Sequence, residues 1–358
     1  MKSFASANAV SRTWIIARLL RSIPSLIPQA RRSSHMIFLD ERQVTELLPI
    51  ADVLDALERA FIAQARDEVR MPLRAIAPNA DGLLGAMPAA IVATPSALGA
   101  KLVTVFHDND ARGLPTHQAL IALFDAGTGQ PLAIMDGRFI TQIRTAATSA
   151  LATKALARAG ASTLAIIGTG VQAPAHLEAL GQIMQIKELR VWGRAAAKAA
   201  AVADLARKRG VHARVAATVT DACQGADVIC TLTASHDPVL SLADVSPGAH
   251  INAVGFGGLG GREISGELMS QAHLFVDTLE GARNESGAVQ GAMRDGYLPQ
   301  DPKFTRLCDV VAGVAPGRQG DREITLFHSL GIAIEDMACA RLVYDRARAA
   351  DIGTKLVL

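Results

Sequence analysis

Within the stretch TLAIIGTGVQAPAHLEAL, residues 163–180, the run Gly168-Thr169-Gly170-Val171-Gln172-Ala173 fits the pattern G-x-G-x-x-G/A. Residues of these types at this spacing hold phosphate. The first glycine allows a tight turn, the second lets backbone approach a pyrophosphate, and Ala173 permits close helix packing. The phosphates then rest near Val171 and Gln172, where free N–H groups and the helix dipole favour an anion. A purely structural turn is the other reading. The apolar strand run before the glycines and the helix after them favour the dinucleotide. At the end of the next strand, VWGRAAAK brings Gly193 and Arg194 to the place where an NAD site commonly carries Asp or Glu for the ribose 2′-hydroxyl. A guanidinium suits a 2′-phosphate, and Lys198 lies one helical turn on. The cofactor expected is NADP(H) in preference to NAD(H); the alternative leaves Arg194 as a solvated residue at a strand end.

The elements that must position this turn are of two kinds. From Met36 a short strand leads into DERQVTELLPIADVLDALERAFIAQARDE, where Val53, Leu54, Leu57, Ala60 and Phe61 recur at i, i+3 and i+4 and predict an amphipathic helix. Between residues 71 and 136, RAIAP, LGAMPAAIV, GAKLVTVF, HQALIALFD and PLAIMDG predict an antiparallel sheet broken by short turns. Residues 139–160 return to helical spacing and end at a stop glycine, Gly160. STLAIIG, ELRVWG, ARVAA, DVICTLT, HINAVG and LFVDT then alternate with helices, as in a parallel sheet of about six strands built from right-handed βαβ units. The last helix, SLGIAIEDMACARLVYDRARAA, carries an apolar stripe at Ile332, Ile334, Met337, Ala340 and Leu342 that predicts its return to the N-terminal part. The fold class expected is α/β: a Rossmann-type parallel-sheet domain over residues 146–311 and a discontinuous α+β domain from residues 36–145 and 312–358.

Six basic residues precede the first acidic one, Asp40; the remaining 30 basic against 34 acidic residues leave a body of −4. With no basic stripe, nucleic acid is not an expected partner. Cys223, Cys230, Cys308 and Cys339 show no C-x-x-C pair and no metal-ligand spacing, so no metal is expected and the thiols read as buried in a reducing compartment, the cytoplasm. Residues 1–35 are rich in Arg and Ser and free of acid, and leave two readings open: an organelle-targeting segment, or a chain that starts at Met36. No window supplies the roughly 20 apolar residues of a membrane span.

Taken in order, THQALIALFDAGTGQPLAIMDGRFITQIRTAATSALATK, IIGTGVQAPAH, VWGR, GAHINAVG and LFHSLGIAIEDMACARLVYD resemble the ornithine cyclodeaminase/mu-crystallin family, over essentially all of residues 37–350. The resemblance implies a Rossmann domain beside a substrate-binding domain whose sheet also forms a homodimer interface. It places a carboxylate-binding arginine at Arg74, the active-site lysine at Lys101 and the R-T-A-A arginine at Arg144. It sets Thr116 and His117 near the nicotinamide, with Arg144 and Thr145 also against the cofactor. A cyclic imino acid presents a carboxylate beside a C=N bond, which such cations suit, and Lys101 or a water it holds is the candidate for supplying or retaining a proton. For Arg74 and Arg144 the other reading is a salt bridge across the cleft; for His117 it is a structural or cofactor-contacting histidine.

Ornithine cyclodeaminases of the family carry an acid just after N-A-V-G, where this chain has Gly257 in INAVGFGGLGGREIS. Cyclodeamination is disfavoured on that ground. Thr231 and Thr233 end the fourth parallel strand, at the edge where open α/β sheets bind ligands, and Asn252 and Val254 end the fifth, Val254 against the nicotinamide. Glu285 reads as meeting a substrate amine or capping a helix. Ser329 and Gly331 read as touching the cofactor, and His107 and His328 as making local hydrogen bonds. The function expected from the resemblance is NAD(P)H-dependent reduction of cyclic ketimines, Δ1-pyrroline-2-carboxylate to L-proline and Δ1-piperideine-2-carboxylate to L-pipecolate. The alternatives are an ornithine cyclodeaminase or alanine dehydrogenase, and a non-enzymatic crystallin-like ligand-binding protein.

Overall fold

The computed structural model describes residues 35–255 and 260–357, so the expectations on residues 1–34 and on Gly257 lie outside the described residues. After β1 (His35–Leu39), the Asp40 carboxylate accepts the Gln43 N–H at 2.8 Å while the Gln43 side chain accepts the Asp40 N–H at 3.1 Å, a capping box that starts α1 (Glu41–Leu47). The single helix expected here is two. Pro49 disfavours helix at Leu48, and the chain restarts as α2 (Ile50–Ala65).

The antiparallel sheet follows as β2 (Val69–Arg70), β3 (Ala75–Asn79), β4 (Gly82–Ile91), β5 (Ala97–Val105), β6 (His117–Phe124) and β7 (Pro131–Asp136), with β1 added in parallel to β7. Alternation sets the two faces of this sheet apart. Met87, Lys101, Ile121 and Met135 lie side by side on the buried face, while Leu84, Leu102 and Leu120 point the other way and are exposed. Helix α3 (Arg138–Leu156) then runs unbroken through the expected domain limit at residue 145, touching α2 and β6 as well as the elements that follow. It ends at Leu156; Gly160, at φ +76°, shapes the turn beyond rather than capping the helix.

The second sheet is wholly parallel. Its elements are β8 (Thr163–Ile167), α4 (Gln172–Ile183), β9 (Glu188–Trp192), α5 (Ala196–Arg207), β10 (His212–Val215), α6 (Val219–Cys223), β11 (Val228–Thr231), β12 (His250–Ala253), α7 (Gly266–Gln271), β13 (His273–Val276), α8 (Leu279–Glu285), α9 (Gly287–Arg294), β14 (Thr305–Arg306), α10 (Leu307–Val311) and β15 (Thr325–His328). The strand order is β10-β9-β8-β11-β12-β15-β13-β14. Two strands are added to the six expected. β14 is two residues long, and β15 comes from the stretch 312–358 assigned to the other domain; its four residues are all buried between β12 and β13. The chain then returns as α11 (Ala333–Ala350), packing on α2, α3, β4 and β5 as its apolar stripe predicts, and closes with β16 (Thr354–Val357) at the edge of the first sheet.

Asp227, just before β11, ties the start of the parallel sheet together. One carboxylate oxygen accepts the Ser162 and Thr163 N–H groups at 2.9 and 3.0 Å, and the other accepts Arg158 Nη2 at 2.6 Å. Burial raises this carboxyl's pKa, but the backbone donors and Arg158 outweigh it and hold it below the ordinary value. A carboxyl with a depressed folded pKa adds stability above its unfolded pKa, about 3.9, and loses it as the pH falls through the folded one. Asp227→Ala is expected to cost about 1–3 kcal/mol near neutral pH. Thermal denaturation should show the gap to the parent protein narrowing below about pH 4, and a gap constant with pH would contradict this account.

Candidate functional site

The glycine turn fits a dinucleotide on its own geometry. Gly168 has φ +117°, and a Cβ there would lie 2.6 Å from the Leu232 carbonyl oxygen, so only glycine turns here. Gly170 faces open space, since a Cβ would meet nothing within 4 Å. A Cβ on Gly193 would press on the Thr169 side chain. Helix α4 starts at Val171, 69% exposed, with no side-chain cap; the Ala173 N–H donates to the Gly170 carbonyl at 3.0 Å and Pro174 has none, so the Val171 and Gln172 N–H groups are the ones left for an anion. Gln172 Oε1 is buried without a hydrogen-bond partner among the described residues. The turn sits beside the β8–β11 junction, where the strand order reverses and open sheets bind ligands. Arg194 follows β9 on the exposed surface, with no ion pair among the described residues, and Lys198 is exposed in the first turn of α5.

The expected residues at the carboxyl ends of β11, β12 and β15 converge there. Thr231 is fully buried; Val254 N–H donates to its carbonyl at 3.1 Å, and Ser329 N–H donates to the Ala253 carbonyl at 2.9 Å. Thr233 is committed elsewhere: its N–H and hydroxyl both donate to Glu263 Oε1 at 2.6 Å. Burial raises the Glu263 carboxyl to about 7. His328 makes the local bond expected, its Nε2 lying 2.6 Å from Ser286 Oγ, and burial lowers its pKa to about 4.

The other half of the site is a buried ion cluster. Lys101 on β5 points inward, its Nζ 2.8 Å from Asp336 Oδ2. Arg144 on α3 places Nη1 2.5 Å from Glu335 Oε2 and Nε 3.3 Å from Asp336 Oδ1. All four side chains are nearly sealed from solvent. Burial pushes the Lys101 ammonium down to about 8 against the pull of Asp336, and pushes the Glu335 carboxyl up to about 8 against the pull of Arg144. Gly331, at φ +71°, leaves room for the Arg144 guanidinium where a Cβ would strike it. Asp277 holds this bend by accepting the Leu330 and Gly331 N–H groups at 2.6 and 2.9 Å, and burial raises its pKa to about 6. Sequence reasoning passed over Glu335, Asp336 and Asp277. The signal available was the pair of acids inside the otherwise apolar run GIAIEDMACA.

Arg74 closes the cleft, as its alternative reading had it. Nε lies 3.0 Å from Glu285 Oε2, and Nη2 donates to the Leu330 and Gly331 carbonyls at 3.2 and 3.0 Å. Nη1 carries no hydrogen bond among the described residues, and Arg74, Met71, Met87, Glu285 and Gly331 line a cleft. The helix cap here belongs to Ser286, whose Oγ accepts the Val289 N–H, and not to Glu285. His117 falls on the Lys101 face of the sheet by register, with Nδ1 3.2 Å from Thr116 Oγ1. The Thr145 hydroxyl is taken up by the Thr141 carbonyl at 2.7 Å.

Helix α3 joins both halves. Five residues beyond Arg144, Ser149 Oγ lies 2.9 Å from His176 Nε2, and His176 Nδ1 lies 2.9 Å from the Gln172 carbonyl at the start of α4. Burial lowers the His176 pKa to about 4, so the ring is neutral. A carbonyl only accepts, which puts the proton on Nδ1 and makes Nε2 the acceptor from Ser149.

Comparison with known proteins agrees with this arrangement. The model of the ornithine cyclodeaminase/mu-crystallin family matches residues 34–351. Ketimine reductase mu-crystallin of Mus musculus is 42% identical over 279 residues, covering 77% of this chain and 85% of its own. The solved Δ1-pyrroline-2-carboxylate reductase of Thermococcus litoralis, in complex with NADH and L-proline, superposes with a TM-score of 0.86 at 35% identity over 90% of this chain and 100% of its own. An archaeal alanine dehydrogenase dimer with bound NAD gives 0.85 at 34% identity over 90% and 99%. With the Rossmann-type sheet, the glycine turn and the match along nearly its whole length, this chain belongs to the ornithine cyclodeaminase/mu-crystallin family.

Proposed function

We propose that this chain is an NAD(P)H-dependent reductase of cyclic ketimines, acting on Δ1-pyrroline-2-carboxylate and on its six-membered homologue. The observation that carries the reading is its likeness, over most or nearly all of the chain, to proteins named as reductases of such imines. The sequence lacks the acid at Gly257 that a cyclodeaminase would use. When bound, the nicotinamide supplies a hydride to the imine carbon. The chain's own residues do the rest. Arg74, through its uncommitted Nη1, and the cations Lys101 and Arg144 hold the substrate carboxylate on the inner wall. Gly168, Gly170, Val171 and Gln172 receive the pyrophosphate. Thr231, Val254 and Ser329, with Thr116, His117 and Thr145, would hold the nicotinamide when it is bound.

A protonated imine is the better electrophile. Lys101 keeps the proton inventory of the wall. Its ammonium, lowered to about 8, is charged at neutral pH and is lost as the pH rises through that value. The imine kcat/KM is therefore expected to fall above about pH 8. Following NADPH absorbance with each imine tests the function; no turnover with either, together with ammonia release from ornithine, would overturn it.

The finer cofactor reading is NADPH, supported by the exposed Arg194 and Lys198 and by the absence of an acid at the end of β9. Arg194→Ala is expected to raise the KM for NADPH about tenfold, the value of one charge-assisted contact, with little change for NADH. Equal changes for both would remove the 2′-phosphate role. Gly170→Ala is expected to leave stability within about 0.5 kcal/mol while weakening both dinucleotides, which a binding titration beside a thermal melt would read.

The assembly proposed is a homodimer through the open face of the first sheet. Leu102 and Leu120 are paired across β5 and β6 and are 39% and 42% exposed; Leu84 and Phe38 extend the apolar face on either side. Leu102→Asp is expected to give particles of single-chain mass by light scattering. Particles that keep twice that mass would place the interface elsewhere.

A further inference from the structure

Lys101 and Arg144 come from different elements, β5 and α3, whose direct link at this point is one long hydrogen bond, Lys101 Nζ to Thr141 Oγ1 at 3.5 Å. The close link is made from α11. The Asp336 carboxylate, wholly buried, lies 2.8 Å from Lys101 Nζ through one oxygen and 3.3 Å from Arg144 Nε through the other. Glu335, its neighbour, meets Arg144 alone. Both acids stand in the first turn of α11, where the positive end of the helix dipole favours anions. Asp336 caps no helix and pairs with no surface group; its contacts are the two cations read as substrate anchors.

We infer that Asp336 is the positioning residue of this site: it fixes Lys101 and Arg144 relative to each other, keeps the buried lysine charged, and so sets the affinity of the wall for a carboxylate. The inference rests on the reading of Lys101 as an anchor given above. The groups facing Lys101 are Asp336, Glu335 and the Cys339 thiol from α11, Arg144 and the Thr141 hydroxyl from α3, and His117 from β6. The Cys339 thiol stays neutral, because burial pushes its pKa far up. Only the two carboxylates favour the ammonium, and Asp336 is the nearer. Without it, burial and the Arg144 charge both oppose a charged Lys101. Removing Asp336 therefore lowers the pH at which the lysine loses its proton.

The test compares Asp336→Asn and Asp336→Glu with the parent enzyme in its NADPH complex. Asp336→Asn is expected to move the falling limb of the imine kcat/KM down by about one pH unit, raising the KM about fivefold at pH 8 and much less at pH 6. Asp336→Glu retains the charge, so it should fold and keep the limb in place, but its extra methylene displaces the lysine and raises the KM. A limb that stays put in Asp336→Asn overturns the inference; so does an unchanged KM in Asp336→Glu, the deciding variant should the amide fail to fold. A titration of 13Cε-labelled lysine, assigned with Lys101→Arg, reads the same shift without turnover. Inactivity of the parent enzyme with both imines would refute the proposed function, whereas a Lys101 resonance indifferent to Asp336 would refute this inference.

Discussion

Four ionisable side chains buried in one place constrain everything around them. Taking Lys101, Arg144, Glu335 and Asp336 out of water costs several kcal/mol for each ion, and only close pairing with good geometry offsets it. Removing one partner from such a set strands another, at a cost of about 3–5 kcal/mol. The chain must therefore bring β5, α3 and α11 to one point although they lie far apart in sequence. That requirement accounts for the most irregular feature of the topology. After completing the parallel sheet with β15, the chain leaves it, bends at Gly331 under the hold of Asp277, and returns to the first sheet as α11. The return delivers both acids, and it does so in a helix's first turn, where anions are most at ease.

The second half of the site is organised without charge. Backbone conformation makes the phosphate turn: Gly168 turns where no side chain fits, Gly170 leaves space, and the Val171 and Gln172 N–H groups stand at the uncapped start of α4. Nearby, the Thr233 hydroxyl and amide are both spent on Glu263, which pins the end of β11 against the segment beyond β12. One wall is thus electrostatic and closed, the other amide-lined and open. A ligand with a carboxylate at one end and a dinucleotide with phosphates at the other are received by different physics.

Much of this was legible in the sequence because it depends on local pattern. GAKLVTVF and HQALIALFD read as strands, the glycine spacing locates the phosphate turn, and the resemblance brings Lys101 to the site, although alternation alone would have put a lysine outward and Leu102 inward. The stripe on the last helix predicts where it docks. The parts missed are those set by distant partners. Nothing near Arg74 in the chain announces Glu285, 211 residues away. TLFH is too short to separate from its surroundings by period alone, so β15 goes unseen within the stretch 312–358 given to the other domain. Pro49 was read through, and one helix became two. Glu335 and Asp336 were hidden by the apolar stripe that surrounds them, since a helix read for its hydrophobic face draws attention away from polar residues pointing the same way.

Helix α3 has a role that neither sheet shows alone. It carries Arg144 toward the ion cluster and Ser149 toward His176, whose ring grips the first turn of α4. Five residues of helix separate the two, a rise of about 7.5 Å. A helix is stiff along its axis, so that interval acts as a fixed spacer between the anion-holding wall and the phosphate turn. The two ligands are thereby measured against the same rod. Sequence change in either sheet can alter what is bound, but an insertion or deletion between residues 144 and 149 would also rotate one attachment away from its partner by about 100° per residue.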